Sequence, residues 1–588
     1  MTLRLDSIAP LQPAFEGIAP QIKVPAGPVP GQSAQPHPAA AAHTYKQESH
    51  DATLRADDPH IAKINKQPFD RQRIIGQLTQ KQRKWQDSNQ NGKTEIAYTF
   101  NKGKDSFNEA QKQKARLSMQ SWSDVSNLTF TENGVTREGR MSFRISDKEP
   151  TAAAYYPGNY PQAGDSHYNP AYVTPGTLTH EIGHALGLSH PGDYRFNGID
   201  DKRTPADYAK LRIYAQDSKA HTLMSYLPEE YSGKSTHGPK APMMDDIDAI
   251  QHQYGANYQT RNGNTTYGFN SNSGRDYYSL KSWRDDVTFC VWDGAGNDTM
   301  DFSGYGNNQV INLRAGSFSD VGGYKGNVSI ARGCTIENAI GGSGDDVLIG
   351  NEAGNRLIGG PGGDQMRGGG GPDVFVYYHA AESTPENPDE IMDFTSGIDK
   401  IDVAGALRNA GLTSLSVVNA WSGKAGETRL SYDEKTGTGS VEIDLTGDGK
   451  ANLLIKTRGQ VKPGDIIPAP AAAQKKPVTN TPAPRFNTTG IRPHFIFNKA
   501  SDSSASNARL LTDFTSGTDK IDLRGVQHEA NTRLTLVQAF TGRVGETMVK
   551  FDPKSHRYYI AVDLTGNRKA DFVVKSTQLI KPSDVIAG

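Results

Sequence analysis

Along the chain the hydrophobic positions change period, and each period predicts a different kind of structure. TEIAYTF at Thr94–Phe100 alternates as a half-buried strand does, and LTFTE and MSFRIS read the same way. Over 108–122, Ala110, Ala115, Leu117, Met119 and Trp122 fall in a mainly helical pattern. A further helix is predicted to begin at 175–177 and to stop at Gly187, a residue suited to the left-handed cap that ends a helix. Beyond about Tyr254 the composition turns to Gly, Asn and Asp, and similarity at a fixed nine-residue period appears, which marks a stacked solenoid. A mixed strand and loop module follows Asp373 and recurs after the linker PAPAAAQKKPVTNTPAP: MDFTSGIDKIDVAG matches TDFTSGTDKIDLRG, and IDLTGDGKA matches VDLTGNRKA. Residues 1–65 carry little periodicity and much Pro and Ala, as a disordered, removable leader would.

Length and charge narrow the class. At 588 residues the chain is too long for one core. Its 64 basic and 65 acidic side chains nearly cancel, so charge points to no nucleic-acid partner. No apolar run approaches the ~20 residues of a membrane helix. The first residues, MTLRLDSIAPLQPAFEGIAP, lack a continuous apolar stretch, and no Sec signal is expected. Only Cys290 and Cys334 occur, which excludes a disulfide framework. One bridge remains open to them, although two small apolar fillers in strands is the preferred reading.

HEIGHALGLSH, residues 180–190, carries the chemistry. His180 and His184 stand four apart on one helix face, and Gly187 lets the chain turn so that His190 brings a third imidazole to the same ion. Three nitrogens leave zinc an open position, and Glu181, not itself a ligand, can take a proton from water there and pass it to a leaving amine. The bland alternative to a bare H-E-x-x-H, two solvated histidines on a surface helix, becomes rare for the eleven-residue form. Downstream, HTLMSY holds Met224 two residues before Tyr226.

The nonapeptides are GGSGDDVLI from Gly341, GNEAGNRLI from Gly350, GGPGGDQMR from Gly359 and GGGGPDVFV from Gly368. Glycines allow the turns, the sixth position offers a hard oxygen, and the eighth (Leu348, Leu357, Met366, Phe375) is expected inside the roll. A flexible linker would not keep Asp346, Asp364 and Asp373 in phase with large apolar residues two positions on. Calcium held by Gly342, Gly344, Asp346, Gly360, Gly362, Asp364, Gly369, Gly371 and Asp373 would relieve their repulsion and supply folding energy. The second repeat departs, with Ala353 and Asn355. An earlier half-site, WDGAGND, offers Asp293, Ala295, Gly296 and Asp298. DLTGDG at Asp444 starts like an EF-hand loop, but Ile455 stands where the closing Glu belongs, and a hairpin turn is expected.

These segments together resemble the serralysins, bacterial repeat-bearing metzincin proteases, from about Asp70 to the C-terminus. RLSMQSWSDVSNLTFTE, AYYPGNY, THEIGHALGLSHPGDY, LMSY, DDIDAIQHQYGAN and VSIARGCTIENAIGGSG are all similar to family segments. The resemblance implies an α/β metzincin-type zinc protease domain, then a calcium-binding parallel β-roll of the RTX kind and two β-rich C-terminal modules. It implies that Met224 forms a hydrophobic floor under the zinc ligands, that Tyr226 is a resting zinc ligand and oxyanion stabiliser, and that 151–156 forms a substrate-aligning edge strand. It adds Arg261, Gly263, Thr265, Thr335 and Glu337 as calcium ligands. Two departures lie near the cleft: a shorter connection between Tyr160 and Thr179, and Leu227 where the family often has Trp.

The organisation expected is a leader and propeptide (1–65), catalytic domain (66–255), β-roll (256–376), module copy one (377–467), linker (468–493) and module copy two with a secretion signal (494–588). The function expected is that of a secreted zinc endopeptidase, made as a zymogen, with one catalytic zinc and several calcium ions. Its partners would be protein and peptide substrates and a type I, ABC-transporter export apparatus reading a C-terminal signal. It would be monomeric, extracellular and no membrane protein. The alternative from another class is a calcium-dependent secreted adhesin with a relic zinc site, against which the intact Glu181 and Tyr226 argue.

Overall fold

The computed structural model describes residues 66–194, 203–232, 234, 238–285 and 287–468, and most of 495–586. The leader expected over 1–65, and the linker expected over 468–493 apart from residue 468, lie outside them. The first half pairs a twisted sheet with helices. Strands β1 (Thr94–Phe100), β2 (Leu128–Glu132), β3 (Gly139–Ile145), β4 (Ala152–Ala154) and β5 (Asp165–Tyr168) form one sheet in the order β2-β1-β3-β5-β4. All neighbours are parallel except β4, which runs antiparallel to β5 at the sheet's end. The edge strand expected over 151–156 is therefore present but limited to three residues.

Helices α1 (Arg71–Leu78), α2 (Glu109–Val125), α3 (Pro175–Ala185), α4 (Pro205–Lys210) and α5 (Met244–Tyr254) complete this half. Helix α2 starts at Asn108, whose side chain accepts from the Gln111 amide while the Gln111 side chain reaches back to the Asn108 amide. That reciprocal cap satisfies two orphan donors of the first turn. Its buried stripe, Ala115, Ser118, Met119, Trp122 and Val125, keeps the helical spacing and packs against α3. No helix among the described residues is long and apolar enough to cross a membrane.

The second half is a parallel roll. The nonapeptide strands Val347–Ile349 and Gln365–Arg367 pair in one sheet, and Arg356–Ile358 and Val374–Val376 pair in the other, so alternate repeats stack. The eighth positions Leu348, Leu357, Met366 and Phe375 have no exposed surface. Both sheets run on past residue 376. Asp389–Ile391 pairs with Gln365–Arg367, and Lys400–Asp402 pairs with Val374–Val376. Leu453–Arg458 then extends the first sheet into an antiparallel meander with Thr438–Asp444 and Glu427–Asp433. The division at residue 376 thus marks a change of sequence texture within continuous sheets.

Module copy two repeats the meander as Glu546–Asp552, Arg557–Asp563 and Phe572–Ser576, but its sheets close within itself. Its core, built on Phe497, Ile521, Val526, Val562 and Phe572, is separate from the one running through the rest of the molecule. At Asp444 the expected hairpin turn is found: the carboxylate accepts from the Gly447 and Gly449 amides at 2.7 and 2.8 Å. Both cysteines are free and buried, as apolar fillers. Only Cys290 lies in a strand, Phe289–Val291, so the placement of Cys334 in a strand is corrected.

Candidate metal centre and roll carboxylates

Helix α3 is buried from Leu178 to Ala185. Thr174 caps its start, accepting from the Thr177 amide at 3.2 Å, and Pro175 takes the first-turn position where no amide hydrogen is needed. At its other end the free carbonyls are met by the indole of Trp85, which donates to Ala185 O, and the hydroxyl of Tyr254, which donates to Leu186 O. Gly187 turns the chain with φ +106°, and a Cβ there would lie 1.8 Å from the Arg83 carbonyl oxygen. Backbone strain and overlap with main chain act together. Gly187→Ala is expected to cost on the order of 3 kcal/mol or more, read from urea unfolding, and wild-type stability would refute the close approach.

The turn brings the three histidines together. Their Nε2 atoms lie 3.0 Å (His180 to His184), 3.0 Å (His184 to His190) and 3.3 Å (His180 to His190) apart. His180 Nδ1 faces the Leu223 carbonyl at 2.8 Å and His184 Nδ1 faces the Leu188 carbonyl at 2.6 Å. A carbonyl can only accept, so each Nδ1 carries the hydrogen and each Nε2 turns a lone pair inward. Burial depresses all three histidines, His184 to about 4, which keeps the imidazoles neutral. Nitrogens ~2.0–2.1 Å from a tetrahedral zinc ion would stand about 3.3 Å from one another, and the observed spacing fits that donor set.

Glu181 is 1% exposed, its Oε1 has no hydrogen-bond partner, and burial pushes its carboxyl up to about 8. Met224 lies beneath the helix at Gly183, between the two histidine turns: a Cβ on Gly183 would be 2.7 Å from its sulfur. Asp246 holds this loop in place. It accepts from the Thr222 hydroxyl at 2.6 Å, the Leu223 amide at 2.7 Å and the Met243 amide at 2.9 Å. The Tyr226 ring stands edge-on to His190 at 4.5 Å and 6.1 Å from His180, and burial raises its phenol well above the usual range. Beside it a cleft of about 520 Å³ is walled by Thr174–Thr177, Lys219, Leu223 and Gly238–Lys240.

In the roll, each repeat's main chain is tied to the carboxylate of the turn stacked on it. The amides of Asp346 and Asp364 donate to Oδ1 of Asp364 and Asp389 at 2.7 and 2.9 Å. In the other sheet the amides of Asn355 and Asp373 donate to Oδ1 of Asp373 and Asp399 at 2.7 and 3.1 Å. Oδ2 of Asp364 and of Asp389 is buried without a partner. The turn glycines are in close backbone contact: a Cβ on Gly360 or Gly362 would lie 2.2 or 2.3 Å from the carbonyl oxygen of Gly342 or Gly344, and one on Gly369 or Gly371 would lie 2.5 or 2.9 Å from Asn351 O or Ala353. The Asn355 amide donates to the Glu337 carbonyl and to Asn351 Oδ1, which no carboxylate could do.

The earlier half-site also assembles. Asp298 Oδ1 accepts from the Thr265 amide at 2.7 Å, and the Asp298 amide donates to Glu337 at 2.7 Å. A Cβ on Gly296 would lie 2.8 Å from the Gly263 carbonyl, and Asp293 accepts from the Ala295 amide at 3.0 Å and the Tyr267 hydroxyl at 2.5 Å. The Arg261 guanidinium donates to Asp124, to the Trp292 carbonyl and to the Tyr267 hydroxyl that itself donates to Asp293, and Thr265 Oγ lies 3.5 Å from Arg261 O. Thr335 is exposed, two residues ahead of Glu337. Asp389 and Asp399 were missed by the nonapeptide register. Their signal was present, since each precedes an apolar residue, Ile391 or Ile401, by two positions, as Asp346 precedes Leu348.

Comparison with known proteins matches this architecture to a family. The model described as "Peptidase M10 serralysin C terminal" matches residues 256–468 and 488–587, more than half of the chain. "Metalloprotease AprA" of Pseudomonas entomophila is 47% identical over 427 residues, 65% of this chain and 87% of that protein. "Serralysin C" of Dickeya chrysanthemi is 46% identical over 389 residues, 60% of this chain and 78% of that protein. A solved structure of the AlgE6R2 subunit of the Azotobacter vinelandii mannuronan C5-epimerase covers 29% of this chain at 20% identity and a TM-score of 0.21, too low to bear on the fold. With a family model over the roll and both modules, more than half of the chain, and with relatives at 46–47% identity, the chain belongs to the serralysin family.

Proposed function

We propose that the chain is a secreted zinc endopeptidase of the metzincin kind, with His180, His184 and His190 as protein ligands and Glu181 as general base. The convergence of the three Nε2 atoms within 3.3 Å of one another, with the lone pairs of His180 and His184 turned inward by carbonyls at their Nδ1 atoms, is the observation that carries this reading. Zinc, when bound, supplies Lewis acidity that acidifies water and polarises a carbonyl. The protein's own part is proton transfer and orientation. Glu181 is buried with an oxygen free of other bonds, so as a carboxylate it can accept a proton from water and return it to the leaving amine. Met224 supports the histidine helix at Gly183, and Tyr226, against His190, is the group that would donate a hydrogen bond to charge developing on the substrate oxygen. The β4 edge offers main-chain groups to an extended peptide.

Metal removal tests the reading. Phenanthroline is expected to abolish casein hydrolysis and stoichiometric zinc together, and added zinc should restore both. Activity that persists in the zinc-free protein would refute it.

Calcium is proposed for the roll, held by Asp346, Asp364 and Asp373 with the facing glycine carbonyls, and by the Arg261, Gly263, Thr265, Asp293, Ala295, Gly296, Asp298, Thr335 and Glu337 group. A site between the second and fourth repeats would be weaker, because Asn355 supplies an amide where Asp would supply charge. Export by a type I route through a C-terminal signal, as an extracellular monomer, is part of the same proposal. In copy one PGDIIPAP occupies the place of PSDVIAG in copy two. Because copy two has its own core, a chain stopped after Ile467 is expected to keep casein hydrolysis in calcium and to be exported at least in part. Loss of activity in the purified, calcium-loaded truncate would show that copy two is needed for the fold.

A further inference from the structure

One buried polar cluster behind the histidines is not used by the proposed reaction. Tyr194 follows His190 by four residues, and its hydroxyl donates to the Asp217 carboxylate at 2.5 Å. The Ser225 hydroxyl donates to the same carboxylate at 2.6 Å, and Ser225 Oγ in turn accepts from the Leu227 amide at 3.0 Å. Asp217 has no exposed surface and Tyr194 and Ser225 almost none. One carboxylate thus ties the segment leaving the third histidine to the turn that carries Met224 and Tyr226. The Tyr194 ring then lies flat on the Tyr226 ring, with centroids 4.8 Å apart and planes at 15°, and 5.6 Å from the His190 ring. Tyr208 stands edge-on to both rings, 5.0 Å from Tyr226 and 5.6 Å from Tyr194.

We infer that Asp217, acting through the Tyr194 hydroxyl and Ser225, is a positioning residue that fixes Tyr226 and His190 relative to each other. The inference rests on the zinc peptidase reading. Aromatic faces alone allow sliding and tilting, whereas a charge-assisted hydrogen bond at the ring's tip sets one orientation. Loosening a group that orients metal ligands lowers metal affinity and turnover by about 10- to 100-fold, while the substrate cleft itself is left intact.

The test uses the full-length protein loaded with zinc and calcium. Tyr194→Phe keeps the ring and removes the hydroxyl, and Tyr98→Phe, in β1, removes another buried-ring hydroxyl far from the histidine motif. Tyr194→Phe is expected to lower kcat about tenfold with KM within about twofold, and to raise the zinc Kd, measured by competition with a chelator, about tenfold. Tyr98→Phe should change none of these. Unchanged kcat and zinc Kd in Tyr194→Phe would overturn the inference even if its melting temperature fell, and so would a change in KM alone. Should Tyr194→Phe not fold, Asp217→Asn, which keeps one oxygen to accept these hydroxyls, is judged by the same readings. If the wild-type protein held no stoichiometric zinc, the peptidase reading itself would have failed. If wild type holds zinc and the variants match it, only the inference fails.

Discussion

Glu181→Ala is expected to keep one zinc per chain and to lose casein hydrolysis by about 10²- to 10⁴-fold, the range of a general acid–base contribution. The two halves of that expectation have separate causes. Zinc is retained because the tautomers of His180 and His184 are set by the carbonyls of Leu223 and Leu188, and neither depends on Glu181. The fold is retained because Oε1 makes no hydrogen bond, burial already disfavours the carboxylate, and alanine suits a helix interior. Turnover falls because Glu181 is the acidic residue of the zinc motif, and alanine cannot carry its proton transfer. Near-normal turnover with zinc bound would remove Glu181 from the chemistry. Joint loss of zinc and activity would instead make it a structural support of the ligands.

Calcium removal should have the larger structural effect. In EDTA at neutral pH the region 256–467 is expected to lose its β-type circular dichroism and become protease-sensitive, and millimolar calcium, but not zinc, should restore it. The roll contributes about one large apolar side chain per turn to a thin core, while Asp346, Asp364 and Asp389 stack in one sheet and Asp373 and Asp399 in the other. Their charges repel in partly buried surroundings, and burial with that repulsion raises Asp364 to about 8 and Asp373 to about 7. A cation between the turns supplies the missing attraction. Because one hydrophobic core runs from the first half through the roll, with Phe318 of the roll against His221 beside the Met224 turn, casein hydrolysis should fall with the roll. An unchanged spectrum and unchanged protease resistance without calcium would refute calcium-linked folding.

The sequence by itself determined whatever depends on local period and local stereochemistry. Four-residue spacing on a helix puts His180 and His184 on one face, Gly187 alone tolerates the turn, and the nine-residue phase of Asp346 with Leu348 is a property of the chain before it folds. The duplication of the last module is of the same kind, being legible as repeated residues. Only the tertiary structure decided what depends on segments tens of residues apart coming into contact. Leu223 is 43 residues from the His180 ring that it fixes, and Asp217 lies 23 residues from Tyr194. The continuation of the roll into Asp389 and Asp399, 25 and 26 residues after the amides they accept, likewise comes from sheet stacking. Such contacts are chosen by packing, which selects partners by shape and by the need to satisfy buried polar groups, and neither leaves a period in the sequence.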